Sequence, residues 1–250
     1  CNSKIYNRNF YRPRHDNFRL CFASWFNVIR RFFLIMFTTL KAAKETVSIT
    51  NRNTKMVGSA FSSDSFACKV GSRLANVKGS VCESCYARRI QKMRPSVNQG
   101  WTRNYEKSVD LISNAPHKWI AACVFQINRF AIKTNENYHR WFDSGDLDSL
   151  GQLKAIIEVA KQTPHIKHWL PTRELAIVRS YKGKVPSNLV IRLSAPMVDD
   201  KPVKGVNTST VHKHKAAIGW VCPAPKQNNN CGDCRACWTP SVANVSYHKH

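Results

Sequence analysis

The chain has 250 residues, 43% of them hydrophobic, so it is long and apolar enough to bury a core. Its 39 basic and 15 acidic residues leave a net charge of +24, which implies an anionic neighbour, most commonly nucleic acid. Composition excludes a collagen, a coiled coil, a disordered chain and a multi-span membrane protein, and ten cysteines are too sparse for a small disulfide scaffold.

Residues 1–35 begin with Cys1 and carry seven basic residues and one acid, with no clean helical or strand period. The apolar run from Leu20 to Phe37 is interrupted by Asn27, Arg30 and Arg31, so it makes a poor membrane span. Arg30 and Arg31 before an apolar hexamer faintly suggest a signal peptide, but no cleavage pattern follows. Met36 is the expected natural start. Residues 1–35 are then upstream sequence or a disordered arm, and residues 36–250 a single α/β domain.

Residues 45–67 read as irregular or short strands, and Cys68 to Cys85 as a loop holding Gly71 and Gly79. Helices are expected over Tyr86–Met93, Trp101–Ser113 and Pro116–Lys133, the last containing a core Cys123. Tyr138–Phe142 is then a strand. Leu147–Thr163 is an amphipathic helix capped by Asp146 or Asp148 and ended by Pro164. Ile166–Leu170 is a second strand, Glu174–Tyr181 a helix, and Leu189–Leu193 a third strand. This alternation implies right-handed β-α-β units: a parallel sheet or partial βα barrel, with a loop-like, cysteine-rich C-terminal region over residues 211–250.

Seven cysteines fall into two groups, Cys68 with Cys82-x2-Cys85, and Cys222 with Cys231-x2-Cys234-x2-Cys237. A C-x2-C pair places two thiolates on one turn. Three cysteines at successive x2 spacing, with a distant cysteine before proline (here Pro223), follow the pattern of iron–sulfur ligation. Zinc is the alternative, usually on two separate pairs. Nothing indicates secretion, so disulfides are not expected. Four plus three ligands would give one fully ligated [4Fe-4S] cluster and a second with an open iron.

Parallel α/β sheets bind ligands at the carboxyl ends of their strands. Asp143, Ser144 and Asp146 follow the first candidate strand, Thr172, Arg173 and Glu174 the second, and Ser194 the third, with Arg192 inside it. These groups are expected on one rim. Asp143, Asp146, Arg173 and Glu174 are the candidate catalytic residues, and Ser144, Thr172, Arg192 and Ser194 the candidate substrate ligands. His139, His165 and His168 are expected in generic core or solvent roles.

The segments SVCESCYA (Ser80–Ala87), RWFDSGDL (Arg140–Leu147), HWLPTRE (His168–Glu174), LVIRLSA (Leu189–Ala195) and CGDCRACW (Cys231–Trp238) resemble the phage gene product 88 family from about Val57 onward. That resemblance implies a phage or prophage gene acting in a bacterial cytoplasm. It implies no mechanism. A weaker analogy is to radical S-adenosylmethionine enzymes, which combine a partial barrel with a three-cysteine cluster. Cys68, Cys82 and Cys85 would supply the ligands and S-adenosylmethionine would be the cofactor. Their usual C-x3-C-x2-C spacing is absent here, because thirteen residues separate Cys68 from Cys82.

Two functions follow. One is an iron–sulfur redox or radical-type enzyme. The other is a nucleic-acid-binding protein pinned by zinc or an inert cluster, with Tyr86, Trp220 or Trp238 stacking on bases.

Overall fold

The structure is a computed structural model that describes residues 36–50 and 55–249. The expectations for residues 1–35 lie outside the described residues. From Phe37 onward the described residues belong to one compact unit.

The first helix, α1 (Leu40–Thr46), starts at Thr39, whose hydroxyl accepts from Ala42 N. Strands β1 (Ile49–Thr50) and β2 (Ser59–Ser62) pair antiparallel. Helices α2 (Lys69–Leu74), α3 (Tyr86–Met93), α4 (Pro95–Asn114) and α5 (Pro116–Thr134) follow. Then come β3 (Tyr138–Ser144), α6 (Leu150–Gln162), β4 (Lys167–Thr172), α7 (Leu175–Ser180) and β5 (Leu189–Val198). Strands β6 (Thr208–His212), β7 (Trp220–Val221) and β8 (Asn244–His248) complete the sheet. Its order is β1-β2-β3-β4-β5-β6-β8-β7, and every pairing after the first is parallel. The α/β class and parallel sheet expected from the sequence are therefore present. The carboxyl ends of β2, β3, β4, β5, β6 and β8 point the same way.

Alternation along the strands sends successive side chains to opposite faces. On one face Trp141 and Leu170 pack with Phe61, Trp119, Leu153, Ile156 and Ile157 beneath the helices. Trp119 and Trp141 stack with centroids 5.7 Å apart. His139 and His168, opposite each other in the β3–β4 register, share this face and are fully buried. On the other face Ala60 and Trp169 pack against Trp238 from the C-terminal segment, with Cys231, Cys237 and Tyr247 around them.

Four local expectations need correction. The Cys68–Cys85 segment is not all loop, since α2 occupies Lys69–Leu74. Gly71, expected in that loop, sits inside α2, where a Cβ would meet Cys68 Cβ at 3.0 Å and the Cys68 and Cys82 thiols at 3.7 Å. Helix α4 begins at Pro95 rather than Trp101, because proline is tolerated in a first helical turn. Neither Asp146 nor Asp148 caps α6. Ser149 does, accepting from Gln152 N, while Gln152 Oε1 reaches back to Asp148 N. The C-terminal segment is not only loop either, because β8 inserts between β6 and β7.

Candidate active site

The strand ends enclose a cavity of about 420 Å3, within the usual range for small-molecule sites. Its walls include Cys68, Cys82 and Cys85 from the segment after β2, Asp143 and Ser144 at the end of β3, and Asp146 just after it. Thr172 and Arg173 come from the end of β4, Ser194 from β5 and Tyr247 from β8. Six of the eight residues expected on one rim therefore meet in one cavity.

The two exceptions have other work. Glu174 is buried, and its Oε1 accepts from Val70 N at 2.8 Å. Cys68, at the N-cap of α2, makes no side-chain cap, so a carboxylate from the end of β4 satisfies that helix start. Arg192 is fully buried, and its guanidinium donates to the carbonyls of Cys237, Thr208, Val242, Ala236 and Thr239 at 2.8–3.3 Å. It ties the C-terminal cysteine loop to the sheet and does not line the cavity. Both readings came from position after or within a strand, which does not reveal a side chain's partner.

The first cysteine segment is clamped to the strand ends. Gln91 accepts from Ser65 N and Oγ at 2.9 and 2.7 Å, fixing the exit from β2. Lys69 pairs with Asp148 at 3.2 Å. Val81 N donates to Pro196 O, and Val198 N to Gly79 O, binding the loop before Cys82 to the end of β5. Cys68 and Cys85 each stand at a helix N-cap. Burial pushes the Cys68 thiol well above its ordinary value, and Asp146, Cys85 and Cys82 push the same way while Arg173 opposes. Cys82 is raised by burial, with Arg173 again opposing.

The second group lies against the opposite end of the site. Trp238, whose indole donates to His139 O at 3.0 Å, wedges between Tyr138 and Trp169. Trp238 is buried, so the expectation that it stacks on a base is corrected, whereas Tyr86 and Trp220 are exposed. Cys231 N donates to Lys55 O, and Cys222 N to Ser246 O. Burial raises Cys222, Cys231 and Cys237, and within this group Cys222 acts on Cys231 and Cys237, and Cys234 on Cys222 and Cys231. Cys237 is pushed up to about 12 even though its sulfur contacts the Tyr247 hydroxyl at 3.1 Å. Cys123 is buried in α5 among core residues, as expected.

Among the described residues no three His, Cys, Asp or Glu side chains converge closely enough to hold a single metal ion. Nor does any helix among them have the length and apolarity to cross a membrane.

Asp146 accepts from Thr172 Oγ1 at 2.5 Å, Arg173 N at 2.9 Å and Leu147 N at 2.8 Å, yet burial lifts its pKa to about 6. Burial also raises Asp143, against the opposing charge of Arg140 and a hydrogen bond from Ser62. The turn between them depends on Gly145, at φ +83°, where a Cβ would lie 2.7 Å from Ser63 Cβ. Gly145→Ala is expected to cost about 1–2 kcal/mol, read as a lower midpoint in urea with an unchanged m-value.

Arg140, Trp169 and Tyr247 also line the cavity, and the sequence reading assigned none of them a site role. Alternation along β3 and β4 could have placed Arg140 and Trp169 on one face. Nothing in the sequence says which face is open.

Fold and site together define a class: an α/β protein with a parallel sheet whose strand ends form a cavity bordered by cysteines. Residues 38–240 match the family described as Gene product 88, and the chain belongs to that family. No protein with a curated description and no solved structure matches the chain. None of these comparisons supports the analogy to radical S-adenosylmethionine enzymes.

Proposed function

We propose that this gene product 88 protein is an iron–sulfur enzyme of redox or radical type, acting on a small molecule in the bacterial cytoplasm. The observation that carries this reading is the position of Cys68, Cys82 and Cys85 in the wall of a cavity at parallel strand ends. Cys222, Cys231, Cys234 and Cys237 would hold a second cluster on the far side of Trp169 and Trp238 from the helix-packed core.

The spacing of the donors supports a cluster over zinc: Cys231, Cys234 and Cys237 follow at successive x2 intervals, with Cys222 before Pro223. Gly71 brings the backbone of α2 against the three-cysteine site, where a Cβ would stand 3.7 Å from the sulfurs of both Cys68 and Cys82. A cluster with three protein ligands supplies electrons and leaves one iron free for an exchangeable ligand, for which S-adenosylmethionine is the compound to test.

The chain's own residues do the rest. Burial and neighbouring like charges hold Cys68 and Cys237 protonated until a cation displaces the protons. Asp146, near pKa 6, can hold or release a proton at the cavity wall close to neutral pH. Asp143 and Ser144 offer polar contacts to a bound substrate, Thr172 orients Asp146, and Ser194 lines the β5 side.

The alternative, a metal-pinned nucleic-acid-binding protein, rests on the charge and on exposed Tyr86 and Trp220. One experiment separates the two. The full chain, purified without oxygen, is expected to contain about eight irons and eight sulfides, with broad visible absorption. Cys82→Ser and Cys234→Ser should each lower the iron to about four per chain. Zinc without sulfide would overturn the enzyme reading and favour the nucleic-acid one, then tested by binding across a salt series.

A further inference from the structure

Two guanidinium groups on the same sheet, Arg192 fully buried and Arg140 partly so, are treated in opposite ways. Arg192 donates to five backbone carbonyls and is saturated. Arg140, on β3, has five N–H donors to place but reaches only weak partners. Nη1 lies 3.9 Å from Met56 Sδ and Nη2 lies 3.5 Å from Phe142 O. The Tyr86 hydroxyl, which donates to Asp143 O, also hydrogen-bonds Arg140. No Asp or Glu side chain among the described residues forms an ion pair with Arg140 within 4.0 Å. Its Nε is shut away from solvent with no acceptor.

Arg140 is not alone in this. Trp169 Nε1, Arg173 Nε and Ser144 Oγ are also buried without a partner, and all four residues line the cavity. Unsatisfied buried donors are rare, and each costs about 1–3 kcal/mol. The residues that carry these four groups line a single cavity, so an acceptor bound there lies beside donors that the chain leaves unsatisfied. The charges agree. Arg88, Arg140, Arg173 and Lys249 face the cavity against Asp143 and Asp146. Arg173 acts on Cys68 and Cys82, whereas Arg140 sits by Asp143 and the second cysteine group, acting on Cys231 and Cys237, with no carboxylate among the described residues in direct ion-pair contact. Its plane lies over the Trp169 ring, 4.7 Å from guanidinium carbon to centroid, so the fork is held rigid.

We propose that the cavity recognises an oxyanion, the carboxylate or phosphate of a small-molecule substrate, through the Arg140 fork stacked on Trp169. This names the substrate class of the site proposed above and rests on that cavity being the substrate site. It does not depend on whether a cluster is bound.

The test is calorimetric titration of the full chain, metal-free and iron-loaded, with inorganic phosphate and separately with malonate. Saturable binding of one of them is expected, and the tighter probe identifies phosphate or carboxylate. Arg140→Gln should weaken it at least tenfold, and Arg140→Lys, which keeps the charge but loses the fork, by a smaller factor. Lys133→Gln, exposed at the end of α5, should change nothing. Equal affinity in wild type and Arg140→Gln, or an equal loss in Lys133→Gln, would overturn the proposal. Should Arg140→Gln fail to fold by circular dichroism, Arg140→Lys decides, and wild-type affinity in it counts against the fork. Iron and sulfide are measured on the same samples. A chain that takes up no iron but binds phosphate through Arg140 refutes the cluster and keeps the oxyanion site. Iron uptake without anion binding does the reverse.

Discussion

Arg192→Ala is expected to lower the melting temperature by about 6–12 °C and, on the cluster reading proposed above, to lower the iron held by the C-terminal cysteine group while sparing the other. The side chain is fully buried and holds the carbonyls of Ala236, Cys237, Thr239 and Val242, four points on the C-terminal loop, as well as Thr208 O on β6. Its removal leaves these acceptors buried and unpaired, at a cost of at least about 3 kcal/mol. The loop also carries Trp238, which packs on Trp169 and Tyr138, so the damage reaches the cavity floor. Arg192→Lys should rescue little, because one ammonium cannot satisfy acceptors spread around a planar fork. Thermal melts with iron analysis check both parts. A melting temperature within 2 °C of wild type would show that the loop holds without this contact.

Acid should destabilise the protein through its buried histidines. His168 is fully buried, and burial holds its pKa at about 3, against an ordinary value of 6.5. His139, its neighbour across the β3–β4 register, is lowered well below its ordinary value by burial and by His168. Thr163 Oγ1 donates to Val159 O, so it accepts from His168 Nε2, which sets the neutral tautomer. For a group whose folded pKa is depressed, stability is present above the unfolded pKa of 6.5 and is lost as pH falls toward 3. From pH 7.5 to pH 5 the His168 contribution falls by about 2 kcal/mol, because the unfolded chain takes up the proton and the folded chain does not. His168→Phe keeps a ring in the stack with Trp141 and removes the titration. Chemical denaturation at the two pH values should show the wild type losing about 2 kcal/mol more than the variant. Equal losses would place His168 outside the linkage.

Much of the frame was legible in the chain itself. The alternation of short apolar strands with amphipathic helices from Tyr138 to Leu193 fixes parallel neighbours, because a helix between two strands returns the chain to the same end. That rule placed Asp143, Ser144, Asp146, Thr172, Arg173 and Ser194 on one rim without any coordinates. The grouping of the cysteines was likewise a matter of spacing.

What tertiary structure decided was which side chains are already satisfied. Glu174 and Arg192 are as polar as Arg173 and Arg140, and no local pattern separates them. Glu174 meets an uncapped helix start 104 residues away, and Arg192 meets carbonyls 16 to 50 residues away. Arg140 meets the Trp169 ring and an open cavity. Helix and strand periods are set by bonds between near neighbours, so they are written locally. Saturation of a buried donor depends on acceptors that only the folded chain brings within reach.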